Sequence, residues 1–298
     1  MNRIVLGCGN FGGIGSAPAF FGQGESEEEA FALMDAAWER GVRAFDTADA
    51  YGGGRSETWI GRWMAEREHR PRLTTKVFHS VVGDPADRGL ARDRILRQIE
   101  GSLERLGVAR VDAYLIHEPD PETPVDETLG VLVELLDAGK VGAIGASNVD
   151  RVWLEEALPL APVSVVQNSY SLLEREAEDE VLPFCAEHGI AFTAFGPLAG
   201  GWLTGKYRRG EPPPAGSRMT QRPEGYAHFE RDEVYDGLER LAGRGDMATL
   251  AFAWLFANPL VSAVVTGARR PEHLDPVFAG LDTKLSPAER DELASLFP

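Results

Sequence analysis

Lysine is rare in this chain. Four lysines (Lys76, Lys140, Lys206 and Lys284) stand against twenty-six arginines, and Lys76 lies in the otherwise uncharged run Leu-Thr-Thr-Lys-Val-Phe. A buried lysine is costly unless paired, and Asp46, on the neighbouring strand-like run, is the obvious partner. The pattern alone permits a purely structural pair. Tyr51, five residues after Asp46, adds chemistry. A cation beside a phenol favours the phenolate and lowers its pKa toward the working range, and a phenol so tuned can act as general acid toward a carbonyl oxygen. His117, closing Asp-Ala-Tyr-Leu-Ile-His, could alone be a core or rim histidine. Beside Tyr51 it becomes a donor that orients the carbonyl or assists proton transfer.

These four side chains meet only if the elements carrying them converge. Strand-like runs at 4–6, 42–45, 73–77, 111–116, 141–146, 163–166, 190–195 and 261–265 alternate with helical stretches. A helix from Ser26 carries capping-box spacing to Glu29 and stops at Gly41. Others are expected at 57–67, 90–106, 124–138, 151–158, 176–188, 232–242, 247–256, 271–279 and 287–297. Eight βα units can close into a parallel barrel or extend as a doubly wound sheet. Regular spacing without a half-way linker favours an α/β (β/α)8 barrel over residues 1–298 as one domain. Chemistry in such a barrel sits at the C-terminal ends of the strands. Asp46, Tyr51, Lys76, His117, Ser147, Asn148, Gln167, Asn168, Phe195 and Gly267 all fall there.

Gly7-Cys8-Gly9-Asn10-Phe11-Gly12 spells GxGxxG after the first strand. Its context is wrong for a dinucleotide fingerprint, because glycines, Ser16 and Pro18 follow where a helix should open. A permissive turn is the better reading. The formal net charge of −17 disfavours nucleic-acid and anionic-membrane partners. No apolar run approaches membrane-spanning length, and the start lacks a signal-peptide stretch. Two cysteines, Cys8 and Cys185, form no disulfide framework or zinc motif. A cytoplasmic protein, monomeric or weakly oligomeric, is the expectation.

The residues at the strand ends resemble a known family, the aldo-keto reductases. The segments 45–52 (Phe-Asp-Thr-Ala-Asp-Ala-Tyr-Gly), 73–76 (Leu-Thr-Thr-Lys) and 112–117 resemble its tyrosine, lysine and histidine motifs. Gly-Ala-Ser-Asn (145–148) and Val-Gln-Asn (166–168) resemble its nicotinamide-holding turns. The segments 197–206 and 265–269 resemble its pyrophosphate and adenosine segments, so seven motifs run in order over nearly the whole chain. The resemblance implies a (β/α)8 barrel that binds NADP(H), with NAD(H) as the other option, and reduces a small-molecule carbonyl. It implies Tyr51 as general acid, tuned by Lys76 and Asp46, with His117 positioning the carbonyl. Ser147, Asn148 and Gln167 would hold the carboxamide, and Phe195 would stack on the ring. Gly196, Pro197, Leu198, Gly200, Leu203, Gly205, Lys206 and Arg218 would follow the pyrophosphate. Gly267, Ala268, Arg269, Arg270 and His273 would hold the adenosine end, the two arginines favouring a 2′-phosphate. No metal is implied.

The chain departs from the family's pattern in having only Met1-Asn2-Arg3 before the first strand, and in carrying His273, Pro276 and Val277 where many members read the adenine edge. After 190–195 comes a long loop expected to act as a lid. Its stretch 200–222 holds Lys206, Arg208, Arg209, Arg218 and Arg222 against Glu211 alone, a basic clasp in an acidic protein. Phe11, Phe20, Phe21, Phe78, His79 and Trp202 could line an apolar substrate pocket or merely pack the loops. Two rival readings remain: a Schiff-base lyase using Lys76, and a nicotinamide-sensing regulatory subunit with little turnover, as some relatives regulate membrane channels.

Overall fold

The structure, a computed structural model, describes residues 3–298. Eight strands, β1 (Ile4–Gly7), β2 (Ala44–Asp46), β3 (Arg72–Val77), β4 (Ala113–Ile116), β5 (Ile144–Ser147), β6 (Val163–Ser169), β7 (Ala191–Phe195) and β8 (Val261–Thr266), close into a barrel in chain order. Every neighbouring pair is parallel, and β8 closes on β1 with Val5 opposite Val265.

The helices are α1 (Glu27–Glu39), α2 (Arg55–Arg67), α3 (Arg92–Leu106), α4 (Val125–Asp137), α5 (Arg151–Ala157), α6 (Val181–Glu187), α7 (Arg218–Gln221), α8 (Asp232–Ala242), α9 (Met247–Ala257), α10 (Asp275–Asp282) and α11 (Pro287–Ala294). Ser26 and Glu29 form the expected capping box. Gly107 ends α3 in the left-handed conformation. Helix α9 is apolar almost all round because it is covered on several sides, with α10 so close that a Cβ on Gly280 would stand 2.5 Å from Phe252 Cβ.

Two expected helices differ. The stretch 176–188 divides into a 3-10 turn, Glu176–Glu178, and α6, whose Pro183 sits in the first turn where its missing N–H is harmless. The stretch 271–279 divides likewise, into Pro271–Leu274 and α10 with Pro276 in its first turn. The lid carries the short helix α7 and two 3-10 turns, Pro223–Gly225 and Ala227–Phe229. The strand expected at 111–116 starts at Ala113, with Val111 making an isolated bridge to Val141.

At the N-terminal end of the barrel, the Arg3 guanidinium donates to the carbonyls of Phe256, Asn258 and Val261. At the other end the GxGxxG segment is a turn: α1 begins only at Glu27, and Gly12 has φ +69°.

Candidate active site

The chain passes from β2 to Tyr51 through a turn tied to β3. Thr47 N–H donates to Thr74 O at 2.8 Å, and Asp49 N–H to Lys76 O at 3.1 Å. Three consecutive left-handed glycines, Gly52 to Gly54, then launch α2. A Cβ on Gly52 would stand 2.4 Å from Phe11 O, so the turn admits no side chain there.

Lys76 and Asp46 are both buried, 1% and 3% exposed. Lys76 Nζ donates to Asp46 Oδ1 at 2.6 Å and to Thr47 O at 3.0 Å. Asp46 Oδ2 accepts from Gln167 Nε2 at 2.7 Å. Because β2 and β6 lie on opposite sides of the closed barrel, this bond spans its interior. Tyr51 Oη lies 3.4 Å from His117 Nε2, their rings edge to face at 5.4 Å. Lys76 Nζ is 5.2 Å from the centre of the Tyr51 ring. His117 is fixed by its backbone: its N–H donates to Val77 O at 2.9 Å, and its carbonyl accepts from Asn148 Nδ2 at 2.8 Å. The four residues expected to meet do meet.

Their electrostatics differ in one respect from expectation. Burial raises the Tyr51 pKa, and the opposing effect of Lys76 is partly cancelled by Asp46, so the phenol is held protonated rather than drawn toward phenolate. The physical reason is that Lys76 arrives with its counter-charge already attached. Burial, then Lys76 and His79, push the His117 pKa well down, which keeps the imidazole neutral. Burial, then Asp46 and Tyr51 opposing it, leave Lys76 with a raised pKa and therefore charged.

Ser147 is buried at the end of β5, and Asn148 is exposed beside it with φ +57°. Asn148 Nδ2 also approaches Ser147 Oγ at 3.3 Å. Asn168 serves the backbone, its side chain bonded to Val149 N and O. Phe195 closes β7, partly buried. Beyond it Gly196 turns at φ +67°, Pro197 is buried, and a 3-10 coil, Ala199–Thr204, contains Gly200 at φ +63° and buried Leu203, ending at Gly205 with φ +76°. The Lys206 side chain lies over Gly201 and the Tyr226 ring over Gly200, where any Cβ would collide.

Arg218 donates to Asn10 Oδ1, and Arg269 Nε donates to buried Glu25 Oε1 at 2.6 Å. Both bridges tie later loops to the loop after β1. Partial burial, then Arg218 and Arg269, lower the Lys206 pKa, so these three cations crowd one another. Gly267 is exposed and Ala268 buried at the end of β8. His273 Nδ1 accepts from Arg269 N–H at 3.3 Å, and Arg270 is exposed, 3.7 Å from Glu272.

The clasp is narrower than the sequence implies. Arg209 is turned outward to Asp232 and Asp236 on α8, and Arg208 is exposed. Trp202 is buried against Tyr207, Phe229 and Tyr235, so it packs the lid. Phe11 is also buried, whereas Phe20, Phe21 and His79 are partly exposed.

Sequence reasoning missed Glu25, Asn10 and Tyr226, since their partners come from distant loops. It also missed a second buried polar group. Glu57 accepts from Thr75 Oγ1 and from Arg105 Nε. Arg94 donates to His79 O at 2.6 Å and Gly89 O at 3.0 Å. Asp49 and Tyr114 lie beside them, fully buried, their side-chain oxygens lacking hydrogen-bond partners. Arg-Asp-Arg at 92–94 in an amphipathic helix carried no signal of burial.

Among the described residues no cluster of three or more His, Cys, Asp or Glu could hold a metal, and no helix is long and apolar enough to cross a membrane. The model of the Aldo/keto reductase family matches residues 3–297. A probable voltage-gated potassium channel subunit beta from Oryza sativa subsp. japonica is 35% identical, covering 88% of this chain and 84% of its own. An NADH-specific methylglyoxal reductase from Escherichia coli (strain K12) is 31% identical, covering 95% of this chain and 91% of its own. The glycerol dehydrogenase AKR11B4 from Gluconobacter oxydans superposes with a TM-score of 0.83 at 27% identity, over 99% of this chain and 90% of its own. The strand-end tyrosine, lysine, histidine and aspartate thus sit in a closed barrel whose sequence and shape agree with one assignment: this chain belongs to the aldo-keto reductase family of oxidoreductases.

Proposed function

We propose that this chain reduces an aldehyde or ketone to an alcohol with NADPH, Tyr51 giving its proton to the carbonyl oxygen. The observation that carries this reading is the Tyr51 hydroxyl 3.4 Å from neutral His117, with the Lys76–Asp46 pair buried behind it. A protonated phenol is the form that can donate, and charged Lys76 stabilises the phenolate left behind. His117 Nε2 shares the site into which the carbonyl oxygen would enter.

The residues present fit a nicotinamide dinucleotide. Bound there in reduced form, it would supply the hydride. Asn148 Nδ2 and Gln167 Nε2 are committed to protein acceptors, so their oxygens are left to receive an amide N–H while the Ser147 hydroxyl can donate. Phe195 offers a ring face. Lys206, Arg218 and Arg269 crowd without enough acids to balance them, which a polyphosphate would relieve. Exposed Arg270 and half-buried Arg269 support a 2′-phosphate and hence NADPH over NADH, whereas the Escherichia coli relative is named NADH-specific. The match over residues 3–297 supports one domain, and the acidic surface a cytoplasmic protein.

The test is NADPH oxidation over a panel of aldehydes and ketones. Tyr51→Phe should lower turnover by about 10²- to 10⁴-fold with NADPH affinity nearly intact. Equal losses of binding and turnover would give Tyr51 a structural role. The channel-subunit relative favours a second reading, a nicotinamide-sensing regulatory subunit; tight NADPH binding with no turnover over the whole panel would support it.

A further inference from the structure

Arg222 is the clasp cation that reaches Phe20 and Gly15, although it lies close enough to Arg218 to help, after burial and Arg269, to lower that residue's pKa. It follows α7, one turn after Arg218, but Arg218 reaches Asn10 and the Arg269 side of the mouth, whereas Arg222 turns to Phe20. Its guanidinium is 5.8 Å from the centre of the Phe20 ring. Its Nη1 comes 3.6 Å from the point where a Cβ would stand on Gly15. Gly15 O in turn accepts from the N–H of Gly52, the residue after Tyr51, at 3.3 Å. From the other side, the His79 ring lies 4.8 Å from the His117 ring. Arg222 is close enough to His79 to help, after burial, Arg94 and Arg88, to lower its pKa to about 4.

The guanidinium is also poorly neutralised. Its one acid is exposed Glu224, 3.4 Å from Nε, and both Nη nitrogens lack hydrogen-bond partners among the described residues. Arg88, another cation near His79, differs: Glu118 and Asp120 lie beside it. Arg222 therefore presents two unpaired Nη nitrogens beside Phe20 and within electrostatic reach of His79. An uncharged apolar aldehyde gains nothing from that guanidinium, while a carboxylate matches its planar donors.

We propose that Arg222 is a specificity-determining residue that binds an anionic group on the substrate, so that the preferred carbonyl compounds carry a carboxylate or phosphate at the end remote from the carbonyl. This rests on the reductase reading above. Carbonyl oxygen at Tyr51 and His117, ring or chain along Phe20 and His79, and anion at Arg222 make one continuous path.

The test compares 4-carboxybenzaldehyde with its neutral methyl ester, methyl 4-formylbenzoate, in the full chain with NADPH. The acid should have the higher kcat/KM, chiefly through KM. Arg222→Ala should reduce the acid-to-ester ratio by about 10- to 100-fold, Arg222→Lys should retain part of it, and Arg222→Glu should reverse it. The proposal fails if the parent favours the ester. It fails equally if Arg222→Ala weakens NADPH binding as much as it lowers use of the acid, which would place Arg222 with the cofactor. If neither aldehyde is turned over, the reductase reading fails instead. Calorimetry of 4-carboxybenzaldehyde binding then decides the anion site separately: Arg222-dependent binding supports it, and binding unchanged in Arg222→Ala overturns it.

Discussion

Lys76→Met removes the cation that meets Asp46 and leaves a carboxylate 3% exposed, with Gln167 Nε2 at 2.7 Å as its remaining side-chain donor. Removing one partner of a buried pair typically costs about 3–5 kcal/mol, because the other charge stays desolvated. One amide donor cannot replace an ammonium at 2.6 Å. At roughly 2 °C per kcal/mol for a chain of this length, the melting temperature should fall by about 6–10 °C. Asp46→Asn should destabilise by a comparable amount, stranding Lys76. The double variant Lys76→Met/Asp46→Asn leaves no charge at this pair, and the amide placed at position 46 can still bond to Gln167. It should therefore be more stable than either single variant predicts, with a coupling of about 2–4 kcal/mol. Thermal and urea unfolding of the four proteins closes the cycle, and all three variants should lose turnover. A Lys76→Met variant melting with the parent, or strict additivity, would show that the pair contributes little.

Three further outcomes follow from the same geometry. Carbonyl reduction should show no imidazole-dependent limb between about pH 5 and 8. Burial holds His117 neutral by pushing its pKa down, and holds Tyr51 protonated by pushing its pKa up. Alcohol oxidation, which needs the phenolate, should instead rise toward alkaline pH; a reduction rate that declines with an apparent pKa near 6.5 would contradict the assignment. Arg269→Ala should weaken NADPH by about tenfold or more while altering NADH little, read by fluorescence titration, and a matching loss for both removes the 2′-phosphate argument. Gly24→Ala places a Cβ 1.9 Å from Asn10 O and 2.0 Å from Gly13 O, so it should cost about 1–3 kcal/mol in urea unfolding; an unchanged midpoint would show that the loop after β1 yields freely.

The barrel and its reactive corner were legible in sequence because both depend on local or strongly constrained signals. Strand-end polar residues in apolar runs, Lys76 above all, mark positions where burial must be compensated, and eight alternating units restrict the topology. Helix boundaries near Pro183 and Pro276 were less legible, since a proline in a first turn looks the same whether a helix begins or continues there. Trp202 was ambiguous for another reason. An aromatic in a lid can face substrate or bury itself, and only the positions of Tyr207, Phe229 and Tyr235 around it decide.

What the sequence determined by itself was the inventory: one phenol, one lysine, one imidazole and one carboxylate at the ends of consecutive strands, with a basic segment in a chain of net charge −17. What only the tertiary structure decided was the sign of the effects on them. Asp46 accompanies Lys76 so closely that burial wins at Tyr51, which stays protonated. Arg209 is diverted to α8, Arg269 is held by Glu25, and Arg222 is turned to the Phe20 ring. Charges act through distance and desolvation, and neither quantity exists until distant loops have been folded against each other.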